Sequence, residues 1–257
     1  MKKSIQIIAT ALVILFGNSA LSQNDKMYVM RNGVVTHTIS LDSNHVDSII
    51  FYKPIIGVQG NGVNDIDGNT YNSVTIGSQE WMSENLRTTK YSDGTVIPNV
   101  TDGGEWSDLE TAAWCHYEND SSQYEATYGK LYNCFAVETG KLCPTGWHVP
   151  TDEEWNVLRR YVGANGHYEK EGTALRATSG WDDNGNGTDD YGWNGLPGGW
   201  QIFNGYFGYV GSTGYWWSSS ESSTSHAWGR YLLGFSANVY RSDYPKTYGF
   251  SVRCLRD

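Results

Sequence analysis

The segment DDNGNGTDD, residues 182–190, carries the residue types in this chain that are best suited to binding a metal ion. Asp182, Asn184, Asn186 and Asp189 place oxygen atoms at the short spacing of a loop. Calcium takes six to eight such oxygen ligands, so the pattern indicates a candidate calcium site. The alternative is a polar turn, because Asn-Gly steps are typical of turns whether or not a metal binds. The segment is not an EF-hand, since the loop lacks the terminal glutamate and the flanking helices of that motif.

Aromatic side chains are the second group that could bind a ligand, since the chain contains 11 Trp and 18 Tyr. Six of them neighbour the acidic segment and could stack on sugar rings: Trp181, Tyr191, Trp193, Trp200, Trp216 and Trp217. Of these, Trp193, Trp216 and Trp217 are the predicted ligand-binding residues. The competing interpretation is that the rings fill the core of a loop-rich domain, because aromatic side chains dominate the energetics of cores.

A cluster of three acidic residues, 152–154, has a structural explanation. Thr151 and Glu154 have the spacing of a capping box, which predicts a helix over 152–162 that ends at Gly163. Negative charge in the first turn is favoured by the helix dipole. We therefore assign these carboxylates to capping and predict no catalytic residue among them.

Other catalytic patterns are missing from the sequence. Cys143 and His148 are separated by four residues, and Cys115 directly precedes His116, but neither pair has the spacing of a zinc motif. No serine occupies a nucleophile elbow, and no phosphate-binding glycine motif follows a strand. The sequence thus favours a protein that is not an enzyme.

Charge and the N-terminal residues limit the location and the partners. The chain has 18 basic and 28 acidic residues, a formal net charge of −10, which disfavours binding to nucleic acid or to anionic lipid. Residues 1–22 have the pattern of a signal peptide, with Lys2 and Lys3 before a short apolar run and small residues before Gln23. The apolar run is shorter than the roughly 20 residues that a membrane span requires. We expect an exported protein, periplasmic, cell-surface or extracellular, without membrane insertion.

Three further segments follow the signal peptide. Residues 23–53 read as a short β unit, in which Asn32-Gly33 predicts a hairpin and a third strand follows. Residues 54–64 are rich in glycine and asparagine and read as a linker. Residues 65–257 form the main domain.

Within the main domain, a second hairpin is predicted at Gly77-Ser78. Two strand-like runs, 112–118 and 129–137, flank a turn-rich polar connection. The helix at 152–162 follows, and after it come glycine-rich segments and a closing strand. This order of elements predicts an α+β domain with much loop.

The main domain contains a series of motifs in a fixed order: DIDGNTYNSVTIGSQEWMSENLRTTKY, YGKLYN, GKLCPTGWHVPTDEEW, LPGG, YWWSSSE and YGFSVRCLRD. Through these motifs, residues 65–257 resemble the Fibrobacter succinogenes major paralogous domain family. Members of this family are exported or surface proteins of bacteria without a settled activity, and the resemblance implies the same for this chain.

A second resemblance bears on the fold. HVPTDEEW, a later GG and a final GFxxR strand are similar to the formylglycine-generating-enzyme branch of the C-type lectin-like superfamily. The resemblance implies a C-type lectin-like α+β domain with 152–162 as its main helix. The late region at 214–236 lacks the reactive cysteine pair of those enzymes, so their chemistry does not carry over.

Four cysteines fit an exported disulfide protein and allow three pairings. The C-type lectin-like resemblance implies Cys143–Cys254, which ties the helix region to the final strand. Cys115 and Cys134 then remain, each in a predicted strand, and we expect a cross-strand disulfide between them. The alternative is two free thiols, because position 134 departs from the family motif, which usually has tryptophan there.

The sequence therefore predicts an exported, non-catalytic recognition or adhesion domain that binds carbohydrate or protein at a cell surface. Calcium is the one candidate cofactor. Two alternatives stay open, namely an enzyme of unknown reaction on a scaffold like that of the formylglycine-generating enzymes, and a purely structural envelope protein.

Overall fold

The computed structural model describes residues 26–31, 34–40 and 57–257, and the chain divides into two units after Pro54. In the first unit, two strands pair antiparallel, β1 (Lys26–Arg31) and β2 (Val34–Ser40). Their register places the ends of the two strands opposite one another across two residues, which is the hairpin that Asn-Gly predicts. The predicted signal peptide and third strand lie outside the described residues.

The second unit is built mainly from short strands. Their bounds are β3 (Val58–Gln59), β4 (Val63–Asn64), β5 (Thr70–Tyr71), β6 (Ser73–Ile76), β7 (Gln79–Met82), β8 (Trp114–Cys115), β9 (Leu131–Tyr132), β10 (Trp147–His148), β11 (Gly198–Gln201), β12 (Phe207–Val210), β13 (Thr213–Glu221), β14 (His226–Leu233), β15 (Val239–Pro245) and β16 (Leu255–Arg256).

Helices are fewer and short. Their bounds are α1 (Gly103–Ser107), α2 (Ser121–Tyr128), α3 (Cys134–Glu138), α4 (Asp152–Val162) and α5 (Glu171–Leu175), with a 3-10 turn at Tyr117–Asn119 and a π turn at Gly163–His167. The described residues thus form a mixed α+β unit, as the sequence predicts.

Two five-stranded sheets organise this unit. The first has the order β10-β16-β7-β6-β3, and the second has the order β12-β11-β13-β14-β15. Neighbouring strands run antiparallel except for β11 and β13, which are parallel. Two-stranded pairs, β4-β5 and β8-β9, complete the described sheets.

The segment 249–256 joins distant parts of the unit. Gly249 bridges to Gln201, Phe250 bridges to Tyr132, and β16 lies between β7 and β10 in the first sheet. This segment therefore contacts both sheets, and its interactions span much of the chain.

The interpretation of 54–64 as a linker is wrong from Val58 onward. Val58 pairs with Thr75, and β4 pairs with β5, so these residues belong to the main unit. The glycines that suggested a flexible segment instead allow close packing, since a Cβ on Gly57 would overlap the backbone carbonyl of Tyr191. Two-residue strands offer too little alternation for a sequence pattern to show them.

Helix α4 has the predicted bounds and the predicted start. Thr151 accepts a hydrogen bond from the Glu154 backbone, and the Glu154 side chain accepts one from the Thr151 backbone, which completes the capping box. Gly163 does not end the helix in a left-handed conformation, because its φ is −60° and the chain continues into the π turn. The space beside Gly163 is narrow, because a Cβ would lie 3.0 Å from the Glu171 carboxylate.

The region between β8 and α3 is more helical than predicted. Asp120 caps α2 within the connection that the sequence indicates as turns. The second strand ends at Tyr132 because the Asn133 side chain accepts a hydrogen bond from Ala136 N and starts α3. Cys134 is therefore the first residue of a helix and not part of a strand.

Candidate functional site

The structure contains the disulfide between Cys143 and Cys254, whose Cα atoms are 6.0 Å apart. It joins the segment before α4 to the segment before β16. Both cysteines are buried in the same apolar cluster, so the bond fastens the core and not a surface loop.

The expected disulfide between Cys115 and Cys134 is wrong, because both thiols are free and buried. The β8-β9 register places Leu131 opposite Cys115, and Cys134 has already entered α3. Cys115 Sγ lies 2.7 Å from Gln201 Oε1 instead. Burial raises the pKa of both thiols, so neither is a ready nucleophile.

The three tryptophans predicted to bind a ligand are core residues, and that prediction is wrong. Trp193, Trp216 and Trp217 are 0%, 1% and 0% exposed. Trp216 donates its ring N–H to the side-chain oxygen of Asn85, and Trp217 donates to the Tyr132 carbonyl. Trp216 and Trp217 are adjacent in the chain and pack into two different apolar clusters, which composition alone does not reveal.

A buried arginine explains how this core holds polar atoms. Arg253 is completely buried, with its guanidinium carbon 4.0 Å from the ring centre of Trp193 and 5.8 Å from that of Trp216. It donates to the Asn85 side chain at 2.9 Å and to the Trp193 carbonyl. Burial lowers its pKa to about 9, which leaves it charged at neutral pH. We call Trp81, Trp155, Trp193 and Trp216, whose rings contact one another, the tryptophan cluster.

The acidic segment 182–190 uses its side chains to fix its own turn. Asn186 Oδ1 accepts from the Trp181 backbone at 3.1 Å, and Asp189 Oδ1 accepts from the Asn194 backbone at 2.7 Å. Asp182 and Asn184 are exposed. Asn186 and Asp189 thus each use one side-chain oxygen in a hydrogen bond of the turn itself, and the calcium site stays a prediction.

The other titratable clusters are also explained by packing. Within the described ranges, no group of three or more His, Cys, Asp or Glu side chains is arranged to hold a metal ion. His148 lies between Asp257 and Glu154, at 2.7 and 3.0 Å from its two ring nitrogens. Asp152 pairs with Arg230 at 2.7 Å and Arg241 at 2.9 Å, which attaches α4 to the second sheet.

A different set of aromatic residues lies on the second sheet, on the face away from α4. Four rings stack side by side across β11, β13, β14 and β15, and we call them the aromatic ladder: Trp200, Tyr215, Tyr231 and Tyr240. Successive ring centres are 4.8, 5.5 and 5.1 Å apart, and the ring planes differ by only 17°, 27° and 15°. Tyr215 is buried and the other three are partly exposed.

Strand register produces the ladder. Tyr215 pairs with Tyr231, and Tyr231 pairs with Tyr240, so the three side chains project on one face at the spacing of neighbouring strands. Alternation sends Trp216 and Leu232 to the opposite face, where they join the apolar cluster of α4. Because the ladder rings lie against one another, their faces are largely covered.

Open ring faces occur next to the ladder, on the hairpin formed by β11, the turn 202–206 and β12, which we call the aromatic hairpin. Phe203, Tyr206 and Tyr209 are 50%, 66% and 55% exposed. The Tyr209 ring stands edge-on to Trp200, with ring centres 5.1 Å apart. Phe203 reaches the same group through Tyr248, which is 5.7 Å from Trp200.

Tyr209 has an unusual backbone, with a φ of +65°. A bulky residue in the left-handed region is a genuine outlier, and such strain costs on the order of 1–3 kcal/mol and clusters at functional sites. Gly199 lies on the paired strand β11, between the residue pairs Gly198–Val210 and Trp200–Gly208, and also has a positive φ, at +67°. The strained backbone presents the Tyr209 ring beside Trp200.

The tip of the aromatic hairpin is held against α1. A Cβ on Gly205 would overlap the Cα of Gly103, so the two backbones touch without side chains between them. Gly205 also has a φ of +78°, which suits glycine. The exposed rings are therefore carried by a fixed backbone.

The hydroxyl groups near the ladder stay protonated. Burial raises the pKa of Tyr215 and Tyr244 well above the usual 10.0, and neighbouring phenols raise both further. Burial, followed by the Tyr240 phenol, raises the pKa of Tyr231 as well. These three phenols are therefore neutral at neutral pH and add uncharged hydroxyl groups to the aromatic carbon of this face.

Sequence reasoning included Trp200 among rings that could stack on sugars but missed the tyrosines. Two signals were available. Asn204-Gly205 between IF and YFGY is a hairpin signal flanked by aromatic residues, and Tyr240, Ser242 and Tyr244 alternate as on one face of a strand.

Comparison with known proteins agrees with the motifs. The family model described as the Fibrobacter succinogenes major domain matches residues 74–256. No curated protein matches this chain, and no solved structure matches it. Since the family model covers well over half of the chain, the protein belongs to the Fibrobacter succinogenes major domain family.

Proposed function

We propose that the protein is an exported, non-catalytic recognition domain that binds carbohydrate through the aromatic hairpin. Export is supported by the predicted signal peptide at 1–22. In the described part of the chain, no helix has the length and apolar character that crossing a membrane requires.

The observation that carries the proposal is the strained, half-exposed Tyr209 beside Trp200. A strained backbone persists only where surrounding structure enforces it, and here it places a ring at the surface and not in the core. Burial of the Tyr209 side chain does not offset this cost, since the residue remains 55% exposed. A binding role accounts for it.

Carbohydrate is favoured over a protein partner by the chemistry of this surface. Pyranose rings present axial C–H groups on a flat face, which pack on aromatic rings, and hydroxyl groups at their edges, which bond to phenols. Protein interfaces commonly add arginine anchors, whereas β11, β12 and β13 contain no arginine or lysine.

We also propose that the scaffold is C-type lectin-like. Three features support this assignment: the mixed α+β content, the single long helix α4, and the disulfide between the segment before α4 and the segment before β16. The enzyme alternative is disfavoured because the two free cysteines are buried thiols with raised pKa values.

The test is a glycan array probed with the protein from residue 23 onward, together with three single variants. Trp200→Ala and Tyr209→Ala should each lose at least about tenfold in affinity, which corresponds to about 1.4 kcal/mol. Tyr168→Ala is the matched control, because Tyr168 is 75% exposed and lies outside the aromatic hairpin. Binding that survives both hairpin variants contradicts the proposal, as does the absence of any bound glycan.

A further inference from the structure

The arginine side chains of the strands that form the aromatic surface are both engaged away from it. Arg241 binds Asp152 and lies over the ring of Trp228, 3.2 Å from its centre. Arg230 is buried on the side of α4, where it contacts Asp152 and Asn156. No uncommitted cation of β11, β13, β14 or β15 is therefore available to an anionic ligand.

The lysine nearest in sequence to Tyr248 is also neutralised. Lys246 is 6% exposed and lies 2.5 Å from both Glu138 and Glu221. Burial opposes the charge of Lys246, but hydrogen bonds to the two carboxylates outweigh that effect and raise its pKa. The ammonium group is therefore paired with Glu138 and Glu221 and is not free to bind an anionic ligand.

The segment that contacts the tip of the aromatic hairpin is acidic. Gly103 touches Gly205, and Asp102 and Glu105 flank Gly103 in α1 and at its N-cap. Glu105 is exposed. Negative charge beside the exposed rings repels a polyanion, and the net charge of −10 adds to this repulsion at long range.

From these observations we infer that the ligand of the aromatic hairpin is an uncharged glycan, bound by ring stacking and by neutral phenol hydroxyls. This inference rests on the proposed function and specifies its ligand class. Phe203, Tyr206 and Tyr209 supply three exposed aromatic rings. A ligand that stacks on them must present a flat apolar face, as many sugar rings do. Binding of this kind involves no ion pair, so salt should have little effect.

The experiment measures binding of the same protein to two panels of soluble polysaccharide by affinity gel electrophoresis and calorimetry. One panel contains neutral glucans, mannans and xylans, and the other contains polygalacturonate, alginate and heparin. Each is tested at low and high salt. We expect retention by at least one neutral polysaccharide, with a Kd that changes less than about twofold between the salt conditions.

Variants separate stacking from charge. Tyr209→Ala should abolish retention by the neutral polysaccharide, whereas Glu105→Gln should leave it unchanged, because Glu105 contributes only repulsion of anions. Selective binding of an anionic polysaccharide that weakens strongly with salt overturns the inference but leaves carbohydrate recognition standing. Binding to neither panel overturns the proposed function and the inference together.

Discussion

The tryptophan cluster and the aromatic hairpin are made of the same kinds of side chain, yet their rings have different surroundings. In the tryptophan cluster, Trp193 and Trp216 pack on other rings and on the Arg253 guanidinium, and the cluster is closed to solvent. In the aromatic hairpin, Tyr209 and Phe203 contact other rings on one side only. The difference shows that the count of tryptophans does not identify a binding surface. A binding surface is indicated instead by rings whose faces are exposed to solvent.

The two regions also differ in how they are held. The segment that supplies Arg253 is covalently fastened through Cys254, whereas the aromatic hairpin depends on backbone contact between Gly103 and Gly205. Changes to the first region should therefore appear mainly in stability. Changes to the second should appear mainly in binding.

The largest expected effect is loss of the disulfide. Replacing Cys143 and Cys254 by alanine opens a loop of 111 residues, and the chain-entropy model gives a loss of about 4–5 kcal/mol in the free energy of unfolding. Urea denaturation checks this value. Cys115→Ala is the control, since Cys115 is buried but forms no disulfide. Equal losses in the two variants would show that the bond adds nothing beyond packing.

A pair of tryptophan variants tests the comparison directly. Trp216→Ala removes a buried ring and should lower the free energy of unfolding by about 3–5 kcal/mol. Trp200→Ala removes a partly exposed ring and should cost about 1–2 kcal/mol, while it abolishes glycan binding. Thermal and urea unfolding give the stabilities. If Trp200→Ala proves the more destabilising of the two, the ladder is core and the distinction fails.

Alkaline pH should destabilise the aromatic ladder at Tyr215 and the neighbouring ring of Tyr244, which stands edge-on to Tyr215. Burial raises the folded-state pKa of Tyr215 and Tyr244 above the usual value of 10.0, so the folded protein holds these protons longer than the unfolded chain does. The stability that they contribute is complete below pH 10 and is lost as the pH rises above it. Each such group should lower the free energy of unfolding by about 1.4 kcal/mol per pH unit in that range.

Urea melts from neutral pH to the alkaline range measure this slope. Tyr244→Phe removes one of the two groups. The free energy of unfolding should then fall less steeply with pH, by the contribution of one group, about 1.4 kcal/mol per pH unit. An unchanged slope in this variant would place the alkaline sensitivity elsewhere.

The smallest expected change in stability is that of Tyr209→Gly. Glycine relieves the strain at a φ of +65° but loses the contact with Trp200, so the free energy of unfolding should change by no more than about 1 kcal/mol. Glycan binding should nevertheless be lost. Calorimetry on the folded variant checks both quantities.

Tyr168→Gly serves as the matched control for that variant. Tyr168 is also exposed but has an ordinary φ of −55°, so its replacement relieves no strain and should not affect binding. If Tyr209→Gly is clearly more destabilising than Tyr168→Gly, the backbone of Tyr209 is not strained in the sense that the proposal requires.

The parts of the fold that the sequence predicts depend on neighbouring residues. Thr151 and Glu154 lie three positions apart and fix the start of α4 by themselves, and Gly77-Ser78 fixes the turn between β6 and β7. The strand-like pattern around Cys134 predicts a strand there, but the Asn133 cap outweighs that pattern and starts α3. The family motifs identify the domain without any of these details.

The candidate site depends on contacts between residues that are distant in sequence. Trp216 and Tyr215 are adjacent in the chain, but one faces α4 and the other joins the ladder, and only the sheet register decides which. The positive φ of Tyr209 occurs where β12 pairs with β11, and no single residue encodes that pairing. For this reason the sequence alone could not show that Trp193, Trp216 and Trp217 are buried.

The long span of the native disulfide has a consequence for refolding. Cys115, Cys134 and Cys143 are close along the chain, while Cys254 must return from 111 residues away. Short loops close at lower entropic cost, so a fully reduced chain should first form incorrect bonds among the three nearby thiols. Those kinetic traps must be reshuffled before 249–256 can join the sheets. Refolding in air alone should therefore stall in mispaired isomers, and a disulfide isomerase or a thiol redox buffer should raise the yield of native protein.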